Sequence, residues 1–383
     1  MTDPVAAAKA EGAAAARDAL ALAQALIRRR SVTPADDGAL DVVQGALESL
    51  GFQCWRLPFA EVDNLFARRG TAGPHFCFAG HTDVVPPGDE ALWRHPPFGA
   101  EVHDGVLYGR GAQDMKGDIA AFIAAIPDDL PGSLSLLITG DEEGPSVNGT
   151  VKVLEWMAAN GQIPDACLVG EPTSKAVLGD TLKIGRRGSM NAYVTVHGTQ
   201  GHSAYPQKAD NPVHRLVAAI AELTSKPIDD GSEWFEATTL QVTGLQVDNT
   251  ATNVIPAEAR CFLNIRFNER HTSASLTEHL REVLARHAPR HDLRVVVSGE
   301  SFVTQPGPFV DALVKATARA TNITPQLDTG GGTSDARFIT RYCPVAELGL
   351  VGSTMHKTDE CVPVAELEAL SRLYANVIRE FFS

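Results

Sequence analysis

The chain has 383 residues, 44% of them apolar and 6% aromatic, which is more than one hydrophobic core ordinarily organises, so two domains are expected. No uninterrupted apolar stretch approaches the roughly 18 residues of a membrane span, and 47 Asp and Glu against 33 Lys and Arg leave a net charge of −14, a field that repels phosphate backbones; no membrane and no nucleic-acid partner is expected. The six cysteines stand singly without a C-x-x-C pair, which reads as buried reduced thiols in a cytoplasmic protein.

The N-terminus, MTDPVAAAKAEGAAAARDALALAQALIRRR, is Ala-rich but broken by Asp3, Lys9, Glu11, Arg17 and Asp18, so it lacks the roughly 7–15-residue apolar core of a signal peptide and reads as an amphipathic helix. HFCFAG (75–80), SLSLLITG (133–140) and ACLVG (166–170) are strand-like apolar runs, and DIAAFIAAI (118–126) and VKVLEWMAAN (151–160) have helical spacing. That rhythm predicts an α/β sheet with buried, largely parallel strands.

From about residue 180 the texture changes. NAYVTVHGT, EARCFLNIRFN and LRVVVSG read as strands and NPVHRLVAAIAELTS as a helix, while SASLTEHLREVLARHA puts Leu276, Leu280, Val283 and Leu284 on one helical face. The β-α-β-β-α-β order predicts a small two-layer α+β domain with helices on one face of an antiparallel sheet. After about residue 300, PFVDALVKATARA, ARFI and PVAELEALSRLYANVIREFF return to α/β texture. The expected organisation is therefore residues 1–180 and 297–383 in one α/β domain, with a mixed, mostly parallel sheet and helices on both faces, and residues 181–296 inserted into it.

The conspicuous acidic and histidine residues share one kind of position. His81 and Asp83 in FAGHTDVVPPG, Glu142 and Glu143 in LITGDEEG, and Glu171 in LVGEPT each follow a strand, and ligands of open α/β sheets gather at the carboxyl ends of strands. Asp114 in YGRGAQDMKGD and His356 in VGSTMHKTDE complete the inventory. A lone His or an Asp-Glu-Glu turn is ordinarily structural, but clustered carboxylates repel one another and resist burial unless a metal or a proton relieves them. The N/O donor set without thiolates suits Zn²⁺, with Co²⁺ or Mn²⁺ alternatives. Five candidate ligands exceed the need of one tetrahedral ion, so two metals sharing one carboxylate, Asp114, is the economical arrangement.

GHTDVVPPG, YGRGAQDMKG, TGDEEG, GEPT and MHKTDE, in that order, resemble the motifs of the zinc-dependent aminoacylase and carboxypeptidase family. The resemblance extends to RRGSMNAYVTVHGTQGHSAYP, TNVIP, NIRFN and GGGTSDARFI, and so covers essentially the whole chain. It implies a zinc-peptidase-like catalytic domain with an inserted dimerisation (lid) domain and two Zn²⁺ per subunit. His81, Asp114 and Glu171 would hold one ion, and Asp114, Glu143 and His356 the other. Glu142 would be the general base, and Asp83 the carboxylate that accepts the second N–H of His81. Asp141 is assigned a structural or supporting role, and the family pattern makes the Asp114–Met115 peptide cis.

The same resemblance puts His202 in the active site of the partner subunit of a homodimer, as an oxyanion stabiliser. Arg186, Ser189, Tyr205, Asn253, Arg266, Gly332 and Thr333 are the expected substrate residues, Arg186 being preferred to Arg187. TGGGTSDARFI could equally receive a carboxylate on backbone N–H groups or be a linker with Thr333 or Ser334 capping a helix. The expected reaction is hydrolysis of N-succinyl-LL-2,6-diaminopimelate. The alternatives are an acetylornithine deacetylase or carboxypeptidase type of activity, or a non-catalytic metal-binding protein on the same fold. His279, His287 and His291 are expected to be solvated, and Trp93, Trp156 and Trp234 to serve packing.

Overall fold

The computed structural model describes residues 3–383, which form two compact units. The larger runs to Ile184 and resumes over Thr304–Asp328 and Ser334–Ser383; the smaller comprises Gly185–Val303 and the short return Thr329–Thr333. Among the described residues no helix is long and apolar enough to cross a membrane.

The larger unit is built on an eight-stranded sheet ordered Gln53–Arg56, Leu65–Arg69, Ser133–Thr139, His75–His81, Ala166–Val169, Val345–Glu347, Thr181–Lys183, Gln326–Asp328. The stretch from Ser133–Thr139 to Val345–Glu347 is parallel, and the Gln53–Arg56 and Leu65–Arg69 edge is antiparallel. Every residue of His75–His81 and Ser133–Thr139 is buried, which requires cover on both faces. Register identifies that cover: Phe66 pairs with Leu137 and Phe78 with the neighbouring Leu136, so the two rings point to opposite faces. Phe66 packs on Trp156 of the helix Thr150–Ala159 at 5.5 Å between ring centroids. Phe78 stacks at 4.0 Å on Phe122 of Lys116–Ala125, with Tyr374 of Val364–Phe381 edge-on at 5.7 Å.

The Ala-rich N-terminus forms two helices, Pro4–Ala15 and Ala19–Ile27, where one was expected. Asp18 makes the break, because its carboxylate accepts the Ala21 N–H at 3.0 Å and caps the second helix. The small residues have a packing reason. A Cβ on Gly12 would lie 1.9 Å from the Val42 carbonyl oxygen, and one on Gly45 2.0 Å from that of Lys9, so the first helix meets Ala39–Ser49 backbone to backbone. All six cysteines are free thiols.

The smaller unit carries a four-stranded antiparallel sheet ordered Thr239–Gln246, Glu258–Phe267, Gly188–His197, His291–Gly299. Glu258–Phe267 alternates strictly between half-buried and buried residues, the pattern of a sheet covered on one face. Ala259, Cys261, Leu263, Ile265 and Phe267 turn inward against Leu216 and Leu223 of Pro212–Thr224 and the predicted Leu276, Leu280, Val283, Leu284 face of Ser273–His287. Thr272 starts that last helix with a capping box closed by Ser275.

His75 is expected to make the larger unit acid-sensitive. It is 5% exposed and its Nε2 bonds to Ser135 Oγ at 2.8 Å; burial, helped by Arg68, pulls its pKa down to about 4. An unfolded His titrates near about 6.5. Between those values the unfolded chain binds the extra proton, so stability is lost as pH falls through the window, approaching about 3 kcal/mol below it. Urea unfolding of His75→Gln over this window should show a shallower loss than the native chain; parallel pH profiles would assign the sensitivity to other groups.

Candidate active site

Three adjacent parallel strands deliver their functional groups from the same end. His81 closes His75–His81, Glu142 and Glu143 follow Ser133–Thr139, and Glu171 follows Ala166–Val169. Two loops complete the set: Asp114 precedes Lys116–Ala125 with its peptide to Met115 cis, and His356 takes a left-handed φ of 62°.

Asp114 stands between the two imidazoles. Its Oδ1 lies 3.2 Å from His81 Nε2 and its Oδ2 3.1 Å from His356 Nε2. Glu143 Oε1 is 2.7 Å from His356 Nε2, and Glu171 Oε1 is 3.9 Å from His81 Nε2. The structure thus brings the five proposed ligands together around Asp114, and one ligand atom from each of His81, Asp114 and Glu143 lies within 4.8 Å of the others. The donor chemistry fits divalent ions at both positions. The second nitrogen of His81, Nδ1, meets the Asp83 carbonyl oxygen at 2.9 Å, which places a proton on Nδ1 and turns Nε2 toward the carboxylates.

Here the expected role of Asp83 is corrected. Its carboxylate is 3.6 Å from His81 Nδ1 and is engaged elsewhere, accepting the Glu142 N–H at 3.2 Å and the Glu143 N–H at 3.0 Å. Asp83 therefore orients the imidazole through its backbone and the acidic pair through its side chain. Asp141 has the supporting role assigned to it: its Oδ2 accepts the Val147 and Asn148 N–H groups at 2.8 and 2.9 Å and ties down the loop that follows.

Electrostatics show how strongly the cluster calls for positive charge. Burial raises the Glu142 carboxyl well above its ordinary value, Glu171, Asp335 and Glu143 adding repulsion that His81 opposes. Hydrogen bonds to Asp114 and Glu143 push His356 up to about 10. Burial opposes a charged His81, yet Asp114, Glu142 and Asp83 hold it well above the imidazole range. Divalent cations among the same oxygens would relieve the same repulsion.

One pair of functional groups was not read from the sequence. Glu360 Oε1 accepts the N–H groups of Gln113 at 2.9 Å and Asp114 at 3.2 Å, and its Oε2 meets Arg110 Nη1 at 2.6 Å. Arg110 also reaches the Lys357 carbonyl at 3.3 Å, so this buried ion pair fastens the Asp114 loop to the His356 loop. The only signal was that both charges sit inside quoted motifs. Arg110→Met should cost about 3–5 kcal/mol, because Glu360 would be left buried without its cation. A thermal midpoint equal to that of the native chain would deny the pair this role.

The remaining candidates lie in the smaller unit. Ser189 and Arg266 are cross-strand partners, and Arg186 donates to the Gly332 carbonyl at 2.9 Å. Arg187 pairs with Glu236 at 3.4 Å. His202 is exposed in the short ladder Gly201–His202 with Val254–Ile255, its ring 5.7 Å from Tyr205, and the Asn253 carbonyl accepts the Ser203 N–H at 2.9 Å. Gly332 and Thr333 precede only one turn, Ala336–Ile339, which has no side-chain cap. Ser334 instead donates to Glu347 at 2.5 Å. His287 and His291 are half-buried and hydrogen-bonded, not solvated, the first to Glu222 at 2.5 Å and the second to the Ala288 carbonyl at 2.8 Å.

A family model described as Peptidase family M20/M25/M40 matches residues 77–380. A succinyl-diaminopimelate desuccinylase of Acidiphilium cryptum (strain JF-5) is 56% identical over 368 residues, 95% of this chain and 99% of the relative. Another, of Gluconacetobacter diazotrophicus, is 59% identical over 371 residues, 94% and 96% of the two chains. Among solved structures, aminopeptidase PepT from Bacillus cereus ATCC 10987 has a TM-score of 0.75 at 20% identity over 97% of this chain and 98% of that one. The YXEP protein of Bacillus subtilis, titled a dinuclear metal binding peptidase from the M20 family, has a TM-score of 0.73 at 16% identity over 96% and 99%. The structural likenesses show the fold; the sequence matches carry the descent. On a family model spanning most of its length and relatives more than half identical to it, the chain belongs to peptidase family M20/M25/M40.

Proposed function

We propose that the protein is a metal-dependent amidohydrolase that converts N-succinyl-LL-2,6-diaminopimelate and water to succinate and LL-2,6-diaminopimelate, in lysine and diaminopimelate biosynthesis. The observation that carries the hydrolytic reading is Asp114 shared between His81 and His356. The substrate rests on the relatives at 56% and 59% identity.

His81, Asp114 and Glu171 are proposed to hold one Zn²⁺ and Asp114, Glu143 and His356 the other, with Co²⁺ a substitute. When bound, the ions supply a water that ionises near neutral pH and polarise the amide carbonyl. Glu142 accepts a proton from the attacking water and returns it to the departing nitrogen, so the C–N bond breaks with a neutral amine leaving. Asp83 holds both Glu142 and Glu143 by their backbone.

Arg186, Ser189, Tyr205, Asn253, Arg266, Gly332 and Thr333 are proposed to receive the substrate, guanidinium groups suiting its carboxylates. His202, whose exposure supports the reading, is proposed to stabilise the oxyanion in the partner subunit of a homodimer. A cytoplasmic location is supported by the six free thiols. Steady-state assay tests the whole. N-succinyl-LL-2,6-diaminopimelate should exceed N-acetylornithine in kcat/KM by roughly 10³-fold or more, since a site built around a polar group rejects substrates lacking it. The reverse preference would overturn the substrate and leave the hydrolase.

A further inference from the structure

We propose that His95, Glu101 and His103 form an additional divalent-cation site, taking a borderline transition ion such as Zn²⁺, Ni²⁺ or Cu²⁺. None of the three belongs to the cluster around Asp114, and the proposal stands whatever reaction that cluster performs.

Chain geometry builds the site. Glu101–His103 pairs antiparallel with Val106–Tyr108, Glu101 opposite Tyr108 and His103 opposite Val106, so Glu101 and His103 project from one face of a strand. His95 is brought over them by a fixed loop. The preceding Arg94 donates its backbone N–H and its Nε to the Asp359 carboxylate at 2.7 and 2.9 Å, Pro96 and Pro97 follow it, and the Tyr108 ring lies 4.4 Å from the imidazole.

The donors then converge. Glu101 Oε2 is 3.3 Å from His95 Nδ1 and 2.8 Å from His103 Nε2, and one ligand atom from each residue lies within 4.8 Å of the others. A tetrahedral Zn²⁺ with bonds of about 2.0–2.1 Å separates its ligand atoms by about 3.3 Å, so the carboxylate oxygen already stands near the spacing such an ion requires. The imidazoles are stacked at 3.9 Å and 19°, so binding asks only that the two rings splay toward a shared ion. Two imidazoles and one carboxylate are a donor set of transition ions; Mg²⁺ and Ca²⁺ favour oxygen alone. Glu101 and His103 side chains are 42% and 48% exposed, which leaves a path from solvent and room for water to complete the shell.

The test is equilibrium dialysis of the full-length protein against micromolar Zn²⁺, with bound metal counted by plasma mass spectrometry. The native protein should hold one more equivalent per chain than His95→Ala/His103→Ala, with turnover unchanged. His103→Gln, a change at an exposed position that spares the fold, should weaken the same equivalent. Cu²⁺ added to Zn²⁺-saturated protein should give an electron paramagnetic resonance signal coupled to two nitrogens, absent from the double variant. Equal metal content in the native and variant proteins, or a two-nitrogen signal that survives in the variant, overturns the site.

Discussion

Glu142→Gln is expected to lower kcat by roughly 10²–10⁴-fold, the contribution of a positioned general base, with metal content unchanged. The amide is isosteric, and the backbone N–H of residue 142 still donates to Asp83 Oδ1, now 3.2 Å away, so the loop bearing Glu143 keeps its place. What is lost is the ability to accept a proton from water and hand it to the amine. The fold should not suffer, because burial already disfavours a charged Glu142 and a neutral side chain removes one member of a repelling group. Metal analysis and steady-state kinetics on the same preparation separate the outcomes. Full turnover would remove Glu142 from the mechanism, and lost metal would show that it helps to hold the ions.

Asp114→Asn should do more damage by another route. Each carboxylate oxygen faces its own imidazole, at 3.2 and 3.1 Å, and an amide replaces one oxygen with an N–H₂ group that cannot coordinate. Neither orientation of the amide serves both ions. Bound metal should fall by at least one equivalent per chain, and affinity should fall by more than the about 10–100-fold that follows loss of a partner outside the coordination sphere. Activity should be lost with it and should not return on adding Zn²⁺. Retention of both ions by the Asp114→Asn protein would show that Asp114 is not shared.

Most of the larger unit was legible because strands buried on both faces read as near-continuous apolar runs. HFCFAG and SLSLLIT announce themselves, and polar groups just beyond their ends are conspicuous. That makes His81, Glu142, Glu143 and Glu171 readable as a group from the sequence. Asp114 and His356 sit in loops with no periodic pattern; the donor count suggested Asp114 as the shared carboxylate, and the family resemblance divided the ligands between the two ions. The rest depended on which atom of a residue does the work, or on partners far apart in the chain. Asp83 was identified, but its carbonyl accepts the His81 N–H expected to go to its carboxylate, and the carboxylate holds the Glu142 and Glu143 backbone instead. Arg110 and Glu360 are ordinary charges until folding buries them together. The break at Asp18 was hidden because alanine favours helix on both sides of it.

The order of the donors along the chain has its own consequence. His81, Asp114, Glu143 and Glu171 are all synthesised before the smaller unit, and His356 only after it. A nascent or C-terminally clipped polypeptide would therefore own the parts for one of the two proposed ion positions but not for both. Under the proposed ligand set, retention of the full complement would be a readout of chain completion, and the urea midpoint of the finished protein should climb with free divalent ion by mass action.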